Sequence, residues 1–208
     1  MRQLNKEWRL FSSTNNIEKK RLRIKHSPKP RGFGDIVSDT VERITDGIRD
    51  YFISTVDAKI KFALTLNYKR LTSKKMRDFY FRFKDIYPGK VAVWQSDNGG
   101  ENLGVFNQQR AKDKIPYYFI SPRCPKIDTF VERYHRTFQE EFINPHLDTI
   151  HDKRVFQRKL SDYLIWDNTE RPHHSLNLKS PLEYFVEKGG MSQKYLAYTT
   201  TWYSFGNW

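Results

Sequence analysis

The order of elements legible in this sequence predicts an α/β domain, a mixed sheet with helices laid on it. Three strand-like segments follow one another from Asp35, with breaks too short for a crossover. Two more short apolar runs come later, each preceded by helix-patterned sequence. Two long amphipathic periodicities then close the pattern.

Residues 1–34 hold ten Lys/Arg against two Glu, which is +8 of the chain's formal +13. They end in KKRLRIKHSPKPRGFG, where Pro and Gly argue against a regular element. This stretch reads as a basic linker into a domain spanning 35–190. DIVSDTVERI alternates, with Val37, Asp39 and Val41 on one face. DYFISTVDA and KFALTLNY follow, parted only by Lys59-Ile60-Lys61, and predict an antiparallel meander. TSKKMRDFYFRFKDIY predicts a helix capped by Thr72 or Ser73, with Met76, Phe79, Tyr80, Phe83 and Tyr87 as its buried stripe. A strand over KVAVWQSD, a short helix around 102–112 and a strand over PYYFIS come next. IDTFVERYHRTFQEEF then predicts a helix with Val131, Tyr134, Phe138 and Phe142 on its apolar side. A longer helix near 151–167 carries Phe156, Leu160, Tyr163 and Leu164. Residues 191–208 form an aromatic tail without a clear period; its Tyr and Trp side chains either stack on bases or dock on the core.

Composition narrows the function. At 208 residues the chain has room for one sizeable core, and 15% aromatic content is too rich for a disordered chain. No run approaches the ~18 apolar residues of a membrane span, and the amino terminus lacks the apolar segment of a signal peptide. A single cysteine, Cys124, excludes an internal disulfide and a cysteine-based zinc site within one chain. The expectation is a soluble intracellular protein. With a pI near 9.7 it meets a polyanion, nucleic acid ahead of a membrane surface.

Three acids invite a chemical reading. Asp97, in WQSDNGGEN, ends a strand at its carboxyl end, where open α/β sheets place their sites. Glu132 follows 35 positions later on a helix, with Arg136 and Gln139 on the same face. Asp39 stands in the middle of an otherwise apolar strand face, which is costly unless something pairs it. Taken singly, each has an ordinary explanation: a turn former, a surface ion pair, a sheet-end residue. Converging, they would suit hard divalent cations with oxygen ligands, and two such ions about 4 Å apart serve in-line displacement at phosphorus.

The pieces GDIVSDTV, WQSDNGGEN, TFVERYHRTFQEEF and DNTERPHHSLNLKSPLEYF, in this order across residues 33–187, resemble the catalytic core shared by retroviral integrases and insertion-element transposases with a D,D,E acid triad. The resemblance implies a ribonuclease H-like fold, a mixed five-stranded sheet flanked by helices. It implies that Asp39, Asp97 and Glu132 are catalytic and hold Mg²⁺ or Mn²⁺, two ions. It also implies polynucleotidyl transfer: nicking by water at a DNA 3′ end, then attack of that 3′-hydroxyl on target DNA. Lys126, Arg133, Arg136, Gln139 and Arg171 are the expected DNA-binding residues, with Arg171 either a phosphate contact or a brace for the last helix. Expected partners are element ends, target DNA and further copies of the chain in a bacterial cytoplasm, nucleoid-associated when acting.

The sequence departs from the family pattern at several points. The strand before Asp39 is one residue shorter than the commonest form, which leaves Asp35 and Asp57 as rivals, Asp57 matching a frequent non-catalytic position. Asp128 lies one turn before Glu132, and Asp167 stands where tyrosine is usual. The amino-terminal helix-turn-helix of many relatives does not fit in residues 1–34, so a truncated frame or a separate end-recognition polypeptide is expected. Two alternatives therefore stand beside transfer: a non-catalytic DNA-binding remnant, and a nuclease without strand joining.

Overall fold

The computed structural model describes residues 22–24, 30, 32–97, 99–120 and 129–190. Six strands form one sheet: β1 (Leu22–Ile24), β2 (Asp35–Thr45), β3 (Ile48–Asp57), β4 (Ala63–Tyr68), β5 (Val93–Ser96) and β6 (Tyr117–Ile120), in the order β1-β6-β5-β2-β3-β4. β2, β3 and β4 are the expected antiparallel meander. β5 runs parallel to β2, and β6 parallel to β5. These five strands are the sheet the sequence leads one to expect. The sixth is a departure, because β1 pairs in parallel with β6 from inside the stretch expected to be linker. Its residues, Leu-Arg-Ile, lie just before the Pro and Gly that marked that stretch as irregular.

Strand alternation distributes the helices over two faces. Ile36 lies opposite Trp94 in the β2–β5 register, and Trp94 meets Tyr80 and Phe83 of α1 (Ser73–Ile86) and Phe106 of α2 (Gly104–Lys112). All five predicted stripe residues of α1 are buried, and Thr72 accepts a hydrogen bond from the Lys75 N–H as its cap. The other face carries Val37, Val41, Phe52 and Val56, with Val37 opposite Val56 and Val41 opposite Phe52. Val131 of α3 (Thr129–Phe138) packs with Val37 and Val56, and Phe52 meets Phe138 and Phe156, the latter from α4 (Lys153–Thr169). Each buried ring contributes roughly 1.5–3 kcal/mol of burial free energy.

Beyond Phe138 the expected single helix widens into a π turn, Gln139–Ile143, which keeps Phe142 stacked on Phe138 at 5.3 Å between ring centroids. A last helix, α5 (Pro181–Glu187), begins with a capping box in which Ser180 and Glu183 bond each other's backbone N–H. None of the helices described is long and apolar enough to cross a membrane.

Candidate active site

The β2–β5 register ends at Val37 opposite Gln95, and Asp39 and Asp97 each follow two residues on. The parallel pairing stops there; Asp39 stays on the Val37 face that α3 covers, and both acids lie close enough to Glu101 to act on its carboxyl. Asp97 terminates β5 because its own side chain closes the turn. Its Oδ1 accepts from the Gly99 N–H at 3.1 Å and from Asn102 Nδ2 at 2.9 Å. The Tyr117 hydroxyl steadies the Asp97 carbonyl at 3.3 Å. Oδ2 of this exposed carboxylate has no protein partner among the described residues.

Asp39 keeps a third of its side chain in solvent. Its Oδ1 accepts from the Thr40 N–H at 2.8 Å, and its Oδ2 lies 3.4 Å from His135 Nδ1 on α3. His135 is buried, and its Nε2 has no hydrogen-bond partner among the described residues. With the ring proton on Nδ1 the imidazole faces Asp39 as a donor, and the orphaned Nε2 is left as an acceptor.

Glu132, one helical turn before His135, is exposed. It lines an open cleft of about 470 Å³ with Val41, His135, Arg136, Gln139, Glu140 and Asn144. The structure thus holds Asp39 against His135 of α3, puts Asp97 at the end of the neighbouring strand, and leaves Glu132 exposed on the α3 face that lines the cleft with Val41. Yet no three or more His, Cys, Asp or Glu side chains gather at metal-holding distance among the described residues.

Two side chains of this region were not singled out from the sequence. His135 is one. Glu101 is the other: it folds back over Gly99, where a Cβ would collide with its carboxylate oxygens. Burial first, then the Asp97 and Asp39 carboxylates, push the Glu101 carboxyl above its ordinary range. The signals were present, in an acid four residues after Asp97 and a histidine three residues after Glu132. A concentration of carboxylates with free oxygens, and no lysine or arginine in ion-pair contact with Asp39, Asp97 or Glu101 among the described residues, suits a hard divalent cation.

The expected DNA-binding residues divide. Arg133 is exposed on α3, and Arg136 and Gln139 line the cleft. Lys126 lies outside the described residues, as do Cys124, Asp128 and the aromatic tail. Arg171 is turned inward. It forks onto Glu141 at 2.6 and 2.7 Å and reaches Asp167 at 3.2 Å. These two carboxylates meet its charge and tie it to α4 and the π turn rather than to the last helix. Burial raises the Asp167 carboxyl to about 6 against the pull of Arg171. Burial and Arg171 together lower the His173 imidazole to about 4, so it is neutral at physiological pH. Asp57 accepts from the backbone N–H groups of Gly34, Lys59 and Ile60 at 2.7–3.0 Å and from the Tyr87 hydroxyl, which makes it a structural anchor.

A family model described as an integrase core domain matches residues 113–181. The "Putative integrase ORF3" of Spiroplasma virus SpV1-C74 is 26% identical over 151 residues, covering 64% of this chain; the chain spans 41% of that relative's length. The integrase catalytic core of HTLV-2, solved in complex with magnesium, superposes with a TM-score of 0.58 at 16% identity over 79% of this chain and 99% of that one. A simian T-cell lymphotropic virus intasome bound to a PP2A regulatory subunit gives 0.64 at 15% identity, covering 86% of this chain and 66% of that one. The BIV integrase catalytic core gives 0.58 at 16% identity, covering 76% and 97%. The fold is the ribonuclease H-like fold of integrase catalytic cores, and the likeness to D,D,E integrase and transposase cores that the motifs carry is borne out.

Proposed function

We propose that this chain is the catalytic core of a DNA integrase or transposase, a polynucleotidyl transferase in which Asp39, Asp97 and Glu132 are the working acids. The observation that carries this reading is the parallel β2–β5 register, which ends two residues before Asp39 and Asp97, together with the contact of Asp39 with His135 on α3, the helix that bears Glu132. Asp39 and Asp97 would hold Mg²⁺ or Mn²⁺ through their free carboxylate oxygens, and Glu132 would complete the donor set. Bound there, two such ions supply charge neutralisation at phosphorus and a lowered pKa for the attacking oxygen.

The remaining work falls to the chain's own residues. His135 orients the Asp39 carboxylate, while Asn102 and the Gly99 N–H fix that of Asp97, so both are held before substrate arrives. Arg133 and Arg136 on α3, Gln139 just beyond its end, and Lys126 would hold DNA phosphates, which positions the scissile bond without specifying sequence. The reaction is one displacement used twice. Water and then a DNA 3′-hydroxyl attack phosphorus, and a 3′-oxygen leaves each time. Assembly on two DNA ends calls for several copies of the chain, with end recognition supplied by a further domain or polypeptide.

A strand-joining assay tests this reading: purified chain, Mg²⁺ or Mn²⁺, a pre-nicked DNA end and supercoiled target, with Glu132→Gln alongside. Joined product that vanishes in the variant is the expected result. One observation favours a second reading, a non-catalytic DNA-binding remnant: the absence of a three-acid cluster among the described residues. Salt-sensitive DNA binding with no joined product and no cleavage would select it, and metal-dependent cleavage without joining would select a nuclease.

A further inference from the structure

The turn between β3 and β4, residues 58–62, is built around one ammonium group. Lys61 is half-buried, and its backbone sits in the left-handed region at φ 64°, uncommon for a residue other than glycine. Its Nζ donates to the Ala58 carbonyl at 2.5 Å and stands 3.9 Å from the centroid of the Phe130 ring on α3. An ammonium has three N–H groups. These two contacts fix its position and leave a third direction with no protein acceptor among the described residues.

Nothing of opposite sign meets this charge at ion-pair distance among the described residues. Asp57 is close enough to attract it, but both Asp57 oxygens are already consumed by four donors. The other charged neighbours, Arg133 and Lys59, are exposed cations without an ion-pair partner among the described residues. Burial, then Arg133 and Lys59, lower the Lys61 amine to about 8. A half-buried unneutralised charge and a strained backbone both cost stability, and together they mark a place completed by an anion from outside.

We propose that Lys61, flanked by Lys59 and Arg133, is a binding site for a phosphate of the nucleic-acid backbone. Asp57 pairs with Ile36 at the start of β2, so the turn lies three residues, about 10 Å, along that strand from Asp39. α3 bridges the interval, with Arg133 near the turn and Arg136 in the cleft. A DNA strand held by Arg136 at the acids continues over Phe130 to Lys61. The site rests on the nucleic-acid reading given above for its ligand, and on Lys61 alone for its geometry.

The test uses the full chain. Anisotropy of a labelled DNA duplex is measured across a salt series for wild type, Lys61→Gln/Arg133→Gln, and Lys112→Gln/Lys114→Gln, two exposed lysines at the end of α2 on the other face. The expected result is a salt slope lower by about 1.8 in the first pair and unchanged in the second. Equal losses in both pairs overturn the site as a general charge effect. In parallel, the Lys61 amine of methyl-labelled wild type is titrated by NMR, alone, with duplex and with inorganic phosphate. Its titration moves upward when the duplex binds. A shift with inorganic phosphate in a chain that binds no duplex keeps the anion site while sinking the nucleic-acid reading; no shift with either overturns the proposal.

Discussion

Asp57 and Asp39 stand on adjacent strands, and from the sequence either was a rival for the first acid of the triad. Their surroundings differ in kind. Asp57 is wholly buried, and four donors saturate its two oxygens in the β3–β4 turn. Asp39 is a third exposed, with one backbone N–H and the edge of His135 as its contacts. A carboxylate already spent on backbone donors ligates nothing unless the turn comes apart. One with spare lone pairs beside a second free acid is available for chemistry. Asp35, the other rival, lies opposite Val93 at the start of the strand, four residues before Asp39.

Replacing one acid from each environment breaks the comparison most sharply. Asp97→Asn or Asp39→Asn should cut strand joining by about 10³-fold or more, because the displacement loses a charge made for it. Thermal stability should hold or rise as carboxylate repulsion is relieved. Asp57→Asn should do the reverse. Its amide nitrogen would face the Gly34 N–H, leaving a buried donor unmatched at a cost of roughly 2–4 kcal/mol. Melting followed by circular dichroism, run beside the joining assay, separates the two classes; a stable Asp57→Asn protein would contradict the anchoring role.

The two arginines repeat the contrast at smaller scale. Arg171→Gln leaves Asp167 buried without its partner and should cost roughly 1–3 kcal/mol of unfolding free energy, while the salt dependence of DNA binding stays as it was. Arg136→Gln should leave the melting temperature in place and lower the salt slope by about 0.9. An unchanged slope in Arg136→Gln would remove that residue from the DNA-binding set.

What the sequence disclosed follows the same division. Periodicity placed the meander, the α1 stripe and the apolar sides of α3 and α4, because burial is written in spacing. The motif spacing also marked Asp97 and Glu132, and alternation put Asp39 on the face that α3 covers. Periodicity did not disclose how polar groups pair between distant segments. Arg171 looked free because Glu141 is thirty positions away, and Asp57 looked available because its donors come from Gly34 and Tyr87 as well as its own turn. The β1 strand was missed for a related reason: three residues are too few to show a period, and their partner lies nearly a hundred positions on. Lys61 was passed over as turn sequence, although its environment sets it apart from the exposed lysines around it.

The smallest predicted effect compares two acids by pH. Asp167 is buried, and burial raises its carboxyl to about 6, above the ~3.9 of an unfolded chain. Between these values the folded state holds the extra proton, so this residue's contribution to stability falls as pH rises from about 4 to 6 and recovers on acidification. Asp113 behaves oppositely. Burial alone would raise it, but hydrogen bonds from Lys84 and Tyr80 outweigh burial and hold it below its ordinary value. Its contribution is present above the unfolded value and is lost as pH falls toward the folded one. Unfolding free energy measured from about pH 2 to 8 should therefore change in opposite senses for the two substitutions, below about pH 4 for Asp113 and between about pH 4 and 6 for Asp167. Asp167→Asn removes a term that weakens the fold as pH rises, and Asp113→Asn removes one that strengthens it. Parallel curves for the two variants would mean that Arg171 neutralises Asp167 fully, and that the buried clamp carries no cost of desolvation.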